Sequence, residues 1–444
     1  MKLKTLTLEN FRGFKRFKCD FQPGINVLVG LNGYGKTSLL DAISVAYGQF
    51  LSGFGTSKDR AIRNNDIHLG KIGSPDQGFT MEYQFPVRVE AEAYESSHNA
   101  FPITWSRTRN TLKTSGTKVP ELLNISKHLQ KLVQDGLNPR LPLIACYGTD
   151  RLWNQSFEPS SDLPNLSTTS RLEGYKDWNK PSSGYKLFSS WLHQETMASF
   201  ERSMLIQEQM NTGSLVNGNV HADRLLALKK ALDIVLEPSG WSNVHYSPSA
   251  KQVVATNKEQ GNVPISLLSD GVRNMIGMIA DIARRAIQLN PTLGAHAISD
   301  VNGIVLVDEV DMHLHPQWQQ LVLQNLAEAF PRIQFIVTTH SPQVLTTVKK
   351  EQILIIQEDK ATNPIGNTYG EASNYVLNHV FNVNSRPPLD YSEILKKYLA
   401  IIDAGLGKTP EALTLRQKLE ELMGIHHSDL LAADRTIKRK ELLG

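Results

Sequence analysis

The segment GLNGYGKT, residues 30–37, constrains the fold of this chain more than any other part of its sequence. It matches the pattern G-x-x-x-x-G-K-[ST], and a chance match in a chain of this length is roughly a one-in-a-hundred event. An apolar stretch, INVLVG, precedes the pattern, and a segment with helical spacing of apolar residues follows it. Because glycines let backbone N–H groups converge and a helix N-terminus adds positive potential, this arrangement predicts a phosphate-binding loop.

Two positions at the end of this loop have the residue types that nucleoside triphosphate hydrolysis requires. Lys36 is predicted to reach the β- and γ-phosphates, and Thr37 to bind Mg²⁺. The residues predicted to bind ATP in and beside the loop are Gly30, Asn32, Gly33, Tyr34, Gly35, Lys36, Thr37 and Ser38.

A second apolar stretch, GIVLVDE, ends in two acids. A strand ending in Asp308 places that carboxylate beside Mg²⁺ at the edge of the sheet, and Glu309 then stands next to the γ-phosphate as the base that activates water. The stretch IVTTH ends another strand with His340, which we predict to contact the γ-phosphate. ATP and Mg²⁺ are therefore the predicted ligands.

Composition excludes several classes of protein. The formal net charge of +3 is too small to identify a nucleic-acid binder, and two cysteines without zinc spacing exclude a disulfide scaffold. His313 and His315 have no third ligand nearby at metal spacing, so we do not favour a zinc site. The sequence has no signal-peptide pattern and no apolar stretch of membrane-spanning length, which predicts a cytoplasmic protein without membrane contact.

The pattern of strands and helices predicts an α/β protein divided into four segments. Residues 1–52 form the first part of a nucleotide-binding domain, and residues 53–261 form an inserted region of antiparallel strands and helices. Residues 262–388 complete the nucleotide-binding domain, and residues 389–444 form a helical C-terminal segment. The apolar stripes of that last segment either pack on the nucleotide domain or dock a partner.

The order and spacing of these motifs resemble an ATP-binding-cassette (ABC) ATPase of the SMC, RecF and OLD branch. Residues 30–37 resemble Walker A, VLVDE resembles Walker B, VDMHLHP resembles the D-loop, and LLSDG resembles the signature motif. The resemblance implies an ABC-type P-loop domain that pairs with a second copy around ATP, as a homodimer or a higher homo-oligomer. Ser269, Asp270 and Gly271 of the signature would then complete the Walker A site of the other copy.

This chain departs from the usual motifs of that branch at several positions. Asp270 stands where the common signature has a glycine, with Arg273 as the candidate compensating cation, so we expect slow hydrolysis. Gln155 is the candidate Q-loop glutamine, but it lies far along the segment ACYGTDRLWNQ that follows the strand before it. The NFRGF segment makes Arg12 a further candidate nucleotide contact by resemblance.

Several longer stretches are similar to stand-alone bacterial defence ATPases, a group that includes the ATPase of the Septu system. That resemblance implies a separate HNH nuclease subunit as a partner and leaves DNA or RNA as a candidate ligand, since the sequence has no evident nuclease domain of its own. The alternatives are a RecF- or SMC-like DNA-repair ATPase without a nuclease partner, an OLD-type nuclease and a transporter ATPase. The short segment after His340 argues against the OLD-type nuclease, and the NFRGF start argues against the transporter ATPase.

Overall fold

The computed structural model describes residues 1–74, 78–95, 103–114, 116–150, 170–179, 184–212, 218–384 and 389–443. The chain forms two compact units, Met1–Phe381 and Asn382–Gly444. The strands of the first unit are β1 (Leu3–Phe11), β2 (Phe14–Asp20), β3 (Ile25–Val29), β4 (Leu69–Ser74), β5 (Gly78–Tyr83), β6 (Val87–Ala93), β7 (Thr104–Arg109), β8 (Leu143–Tyr147), β9 (Trp241–Ser247), β10 (Gln252–Asn257), β11 (Gly261–Pro264), β12 (Gly303–Val307), β13 (Ile333–Thr338), β14 (Ile353–Gln357) and β15 (Lys360–Thr362).

Ten α-helices are described in the first unit and three in the second. Those of the first unit are α1 (Lys36–Ser52), α2 (Pro120–Gln134), α3 (Gly184–Asn211), α4 (Val220–Leu236), α5 (Asp270–Leu289), α6 (Ala297–Asp300), α7 (Pro316–Gln319), α8 (Val322–Ala329), α9 (Pro342–Leu345) and α10 (Ser373–His379). Those of the second unit are α11 (Ser392–Asp403), α12 (Pro410–Met423) and α13 (Ser428–Leu443).

A six-stranded sheet forms the centre of the first unit, in the order β15-β14-β3-β13-β12-β8. Its five strands from β14 to β8 are parallel, and only β15 pairs antiparallel. Strands β12 and β13 are buried along their whole length, as their continuous apolar sequences predict for a sheet covered on both faces. The carboxyl ends of β3, β12 and β13 therefore meet at one edge, where the predicted motifs begin.

A four-stranded antiparallel sheet, in the order β2-β1-β6-β7, lies against α1. The same helix also contacts β13 of the central sheet. Almost every residue of α1 from Leu39 to Leu51 is buried, which is expected for a helix enclosed between layers. The Arg107 side chain is buried and donates from Nη1 to the carbonyl of Val45 at 3.0 Å, tying β7 to this helix.

Helices α3, α4 and α5 pack on one another, and α4 also contacts strand β9 of the three-stranded sheet β11-β10-β9. Helix α5 is buried on nearly all sides. The region of residues 53–261, for which the sequence predicts antiparallel strands and helices, contains helices α2, α3 and α4.

The predicted insertion, residues 53–261, does not form a separate body. Its strands β6 and β7 extend the antiparallel sheet begun by β1 and β2, and β8 forms the edge of the central sheet beside β12. This pairing is possible because strands distant in sequence can satisfy one another's backbone hydrogen bonds. The nucleotide-binding fold thus recruits residues on both sides of the predicted boundary at residue 53.

The second unit is a helical segment with a core of its own. Buried side chains from all three helices form that core: Leu395, Tyr398, Ile402, Ala412, Leu419, Leu430 and Ala433. Arg416 on α12 binds Asp434 on α13, with Nη1–Oδ1 and Nη2–Oδ2 distances of 2.6 and 3.0 Å. The first unit ends at Phe381, whereas the sequence predicts a boundary after residue 388. Residue 388 lies outside the described residues.

This architecture confirms the predicted fold class. The molecule is an α/β protein built around a mainly parallel sheet, with a mixed α/β and helical region between the two halves of the predicted motifs and a helical C-terminal segment.

Candidate nucleotide site

The loop at residues 30–35 connects β3 to α1, as the sequence predicts. Gly33 and Gly35 have φ angles of 88° and 90°, in the left-handed region that favours glycine. A Cβ atom on Gly35 would also lie 2.4 Å from Cζ of Phe14, and one on Gly30 would lie 2.6 Å from the carbonyl oxygen of Ile356. Backbone conformation and close packing therefore both require glycine in this loop.

The Lys36 side chain is buried inside the loop that it follows. Its Nζ donates to the carbonyl oxygens of Gly30 and Leu31 at 2.8 and 3.3 Å. Burial lowers the pKa of Lys36 below its ordinary value, although the charges of Asp308 and Glu309 oppose that change. The ammonium group thus sits where a phosphate group could replace the carbonyl oxygens as its partner.

The Asp308 side chain links the loop to the end of the central sheet. Its Oδ2 accepts from Thr37 Oγ1 at 2.9 Å, and its Oδ1 accepts from Thr338 Oγ1 at 2.5 Å. The backbone N–H of Asp308 donates to the carbonyl of Tyr147 on β8 at 2.8 Å. A hydroxyl and a carboxylate held together in this way are the hard oxygen ligands that Mg²⁺ prefers, so the residues present fit that ion.

Glu309 follows Asp308 in an uncommon backbone conformation, with a φ of 50°. Its N–H donates to Thr338 Oγ1 at 2.7 Å, so the same hydroxyl that holds Asp308 also holds this peptide. Strained backbone of this kind persists where surrounding contacts fix it and is concentrated at functional sites. His340 is exposed two residues beyond the end of β13, and its neighbour Thr339 donates to Asp311 of the predicted D-loop at 2.5 Å.

The predicted signature begins the long helix α5. Ser269 is its N-cap residue and is exposed, and Asp270 pairs with Arg273, the compensating cation suggested by the sequence. A Cβ atom on Gly271 would lie 2.4 Å from the carbonyl oxygen of His313. This glycine therefore lets the start of the signature helix pack directly on the predicted D-loop of its own chain.

Arg12 is engaged by two carboxylates. Its guanidinium lies 2.6 Å from Asp41 on α1 and 2.8 Å from the buried Asp66. The residue also has a φ of 48° at the turn between β1 and β2. These two ion pairs give Arg12 a structural role beside α1. A contact between Arg12 and nucleotide stays a prediction.

The sequence analysis also raised a Q-loop glutamine, a zinc site at His313 and His315, and membrane spans. Gln155 lies outside the described residues. His315 caps α7, accepting from the N–H of Gln317 at its Nδ1. Within the described ranges there is no group of three or more His, Cys, Asp and Glu side chains arranged to hold a metal ion. In the same ranges no helix is both long and apolar enough to cross a membrane.

Sequence reasoning missed two residues that organise this site. Thr338 joins Asp308 to Glu309, and Tyr147 joins β8 to β12 through its carbonyl. The pair of threonines before His340 was the only sequence signal for the first. No sequence pattern around Tyr147 predicts its role, because its contacts depend on which strand pairs with β12.

Comparisons with known proteins agree with this geometry. The family described as "AAA domain, putative AbiEii toxin, Type IV TA system" matches residues 25–346. The Retron Vc95 probable ATPase of Vibrio cholerae serotype O1 biovar El Tor is 28% identical, over 91% of this chain and 84% of its own. The Septu protein PtuA of Bacillus thuringiensis is 21% identical, over 81% of this chain and 76% of its own.

Among solved structures, an SMC head bound to the C-winged helix domain of ScpA has a TM-score of 0.46 and 17% identity, covering 82% of this chain and 97% of the other.

The family match covers more than half of the chain and both halves of the nucleotide-binding motifs. The chain therefore belongs to the family described as "AAA domain, putative AbiEii toxin, Type IV TA system", and it is a nucleotide-binding ATPase.

Proposed function

We propose that the loop at residues 30–38 binds ATP and that the residues around Asp308 position it for hydrolysis. The observation that carries this proposal is the 2.9 Å hydrogen bond between Thr37 and Asp308, which joins the two motifs across 271 residues of sequence. Gly30, Asn32, Gly33, Tyr34, Gly35, Lys36, Thr37 and Ser38 surround the phosphates. Thr37 and Asp308 would hold Mg²⁺, which when bound offsets phosphate charge.

Glu309 is the proposed base. It follows the Mg²⁺ carboxylate directly, and its backbone is fixed by Thr338, so its carboxylate can accept a proton from the attacking water. His340 is the proposed hydrogen-bond partner of the γ-phosphate. Its exposed position just beyond β13 supports that role, because β13 lies between β3 and β12 in the sheet.

The second half of the site comes from another copy of the chain in this proposal. Ser269 is exposed at the start of α5, and the helix N-terminus carries positive potential suited to a phosphate. Ser269, Asp270 and Gly271 would then face the Walker A loop of the second copy, in a homodimer or a higher homo-oligomer. Asp270 is offset by Arg273, which reduces its repulsion of the triphosphate.

Two substitutions test the assignment of loop and base. Lys36→Ala should weaken ATP binding, whereas Glu309→Gln should bind ATP and fail to hydrolyse it, because only the proton acceptor is lost. Equilibrium binding and steady-state hydrolysis separate the two effects. If Glu309→Gln hydrolyses ATP at the wild-type rate, Glu309 is not the base.

For the biological role, we infer that this ATPase acts in bacterial anti-phage defence and senses or regulates for a separate nuclease. Its similarity to retron and Septu ATPases supports that role. The proposed partner is an HNH nuclease resembling PtuB, with DNA or RNA as the signal or target, in the cytoplasm.

The experiment for this role is co-expression of the chain with an HNH nuclease resembling PtuB, followed by affinity purification and phage challenge. A stable complex that protects cells, and loses protection in Glu309→Gln, is the expected result. DNA-stimulated hydrolysis with no nuclease captured would favour a RecF-like repair ATPase instead.

A further inference from the structure

A cavity of about 440 Å³ lies among α3, α4 and the C-terminal end of α5, away from the nucleotide loop. Its walls include Trp191 and Glu195 of α3, His221 and Arg224 of α4, and Arg171. This volume lies within the range of small-molecule sites and is sufficient for a mononucleotide. None of the residues assigned above to ATP lines this cavity.

The charged groups of the cavity leave an excess of positive charge. Glu195 accepts from Arg224 Nη1 at 3.0 Å and contacts His221 Nδ1 at 2.6 Å, so one carboxylate serves both side chains. Arg171 donates to the carbonyl oxygens of Leu289 and Pro139, at 2.7 and 2.8 Å. Those partners are neutral, as is the Asn138 side chain at 3.4 Å, so within the described ranges no carboxylate pairs with Arg171. Burial also lowers the pKa of Arg171, which indicates a partly desolvated cation.

Arg224 has hydrogen-bonding capacity that the protein does not use. Its Nε atom is buried and has no hydrogen-bond partner in the part of the chain that the structure describes. Protein atoms enclose Nε, so a ligand in the cavity would bind Arg224 through the terminal nitrogens of its guanidinium. Arginine is also the side chain best suited to phosphate, because its planar guanidinium donates two parallel hydrogen bonds.

An apolar wall accompanies these cations. Trp191 is only 5% exposed, and its ring stacks on Phe188 with centroids 6.4 Å apart. Ile287 and Pro291 line the same cavity. Cationic groups beside an aromatic wall suit a ligand that has an anionic group attached to a flat apolar body.

We propose that this cavity binds a nucleoside phosphate monoester, with its phosphate on Arg171 and Arg224 and its base against Trp191. Either a free mononucleotide or the phosphorylated 5′ end of a nucleic acid supplies this chemistry. Ile287 and Gln288 of α5 line the cavity, and the opposite end of that helix begins beside Ser269. The ligand therefore contacts the helix that carries the signature. The binding claim is independent of the ATPase mechanism proposed above.

Calorimetric titration of the full chain tests the site. Lys36→Ala serves as the parent in all titrations, to suppress binding at the nucleotide loop. The probes are AMP, adenosine and a 5′-phosphorylated tetranucleotide beside its unphosphorylated form. We expect a phosphate-dependent ligand: AMP binds and adenosine does not, or the phosphorylated oligonucleotide binds better than its unphosphorylated form. Binding of AMP identifies a free nucleotide as sufficient, and binding of the oligonucleotide alone identifies a nucleic-acid end.

Substitutions of opposite effect assign the binding to this cavity. Arg224→Gln should weaken it at least tenfold, and Glu195→Gln should strengthen it, because a negative charge beside the phosphate is removed. Lys230→Ala removes one exposed positive charge from the same helix and should leave the affinity unchanged. Thermal unfolding of each variant confirms that it is folded. Absence of any phosphate-dependent binding, or an affinity that Arg224→Gln and Glu195→Gln both leave unchanged, would overturn the proposal.

Discussion

Thr338 holds the two acids of the nucleotide site through one hydroxyl group. It is fully buried, donates to Asp308 at 2.5 Å and accepts from the N–H of Glu309 at 2.7 Å. The peptide of Glu309 is in a left-handed conformation that glutamate rarely adopts. Thr338 therefore aligns Asp308, the proposed Mg²⁺ ligand, and Glu309, the proposed base, at the same time.

Thr338→Val keeps the shape of this side chain and removes both hydrogen bonds. We expect kcat for ATP hydrolysis to fall about tenfold or more, because a lost hydrogen bond of about 1.4 kcal/mol in the transition state gives that factor. The KM for ATP should change little, since the loop at residues 30–37 is intact. Thr338→Ser keeps the hydroxyl and should retain most of the rate, and a wild-type kcat in the valine variant would contradict the positioning role.

Gly271 gives a test in which two effects have opposite signs. Alanine within a helix is about 1 kcal/mol more favourable than glycine, so Gly271→Ala would stabilise α5 if nothing opposed it. Its Cβ atom would lie 2.4 Å from the His313 carbonyl, which forces the signature away from the D-loop. We expect a lower melting temperature and slower hydrolysis. A higher melting temperature with normal hydrolysis would show that this close contact is absent in solution.

At the scale of elements, a buried ionic network ties the signature helix to the central sheet. Asp281 on α5 accepts from the Tyr147 hydroxyl of β8 at 2.9 Å, from Arg284 at 2.7 Å and from Arg285 at 2.7 Å. Arg285 continues the network to the carbonyl of Gly174 at 2.8 Å. Since the Tyr147 carbonyl binds the Asp308 N–H, the same residue connects α5 with the strand end that carries the acids.

Asp281→Asn should destabilise the protein by about 3–5 kcal/mol, because it leaves two buried arginines without their counter-charge. Tyr147→Phe removes a single hydrogen bond and should cost about 1 kcal/mol, which makes it the matched control. Denaturant unfolding of the two variants measures both costs. Equal stabilities for the wild type and Asp281→Asn would mean that the network contributes nothing.

The contribution of Asp281 should also depend on pH in a definite direction. Burial opposes its ionisation, but the charges and hydrogen bonds of Arg285 and Arg284 outweigh burial and hold the pKa of Asp281 well below its usual range. A depressed pKa adds stability above the unfolded value, about 3.9, and loses it as pH falls towards the folded value. The stability difference between the wild type and Asp281→Asn should therefore be constant near neutral pH and shrink below about pH 4. A stability difference between the wild type and Asp281→Asn that grows on acidification would contradict the predicted sign of this pH dependence.

The sequence predicts an element well when the residues that determine it are contiguous in the chain. Strand β3, its loop and α1 are contiguous, and β12 and β13 are continuous apolar runs, so local pattern was sufficient. Strand β14 was missed because a short apolar run fits a strand or a buried helix equally well.

The pairing of β1 with β6 and the bond from Tyr147 to Asp281 join residues far apart in sequence. No local pattern records such partners. Motif spacing was sufficient to predict that Lys36, Asp308 and Glu309 lie at the ends of β3 and β12, whereas the contacts of Thr338 and Tyr147 had no such signal.

At the scale of the whole molecule, the chain divides into a nucleotide-binding unit and a helical unit with separate cores. We expect a chain ending at Phe381 to fold and to hydrolyse ATP, because every residue proposed for catalysis and nucleotide binding precedes that point. Solubility, circular dichroism and hydrolysis rates measure this. Insoluble protein would mean that the helices of residues 382–444 complete the core of the first unit, in conflict with the two-unit division.

The central claim is that ATP is hydrolysed between the loop of one copy and the signature of another. The most direct measurement is the hydrolysis rate of an equimolar mixture of Lys36→Ala and Ser269→Arg chains, each inactive alone. A mixed pair contains one intact combination of Lys36 and Ser269, so random pairing should restore about a quarter of the wild-type rate. A mixture as inactive as its two components, at concentrations where the chains exchange partners, would contradict the shared site.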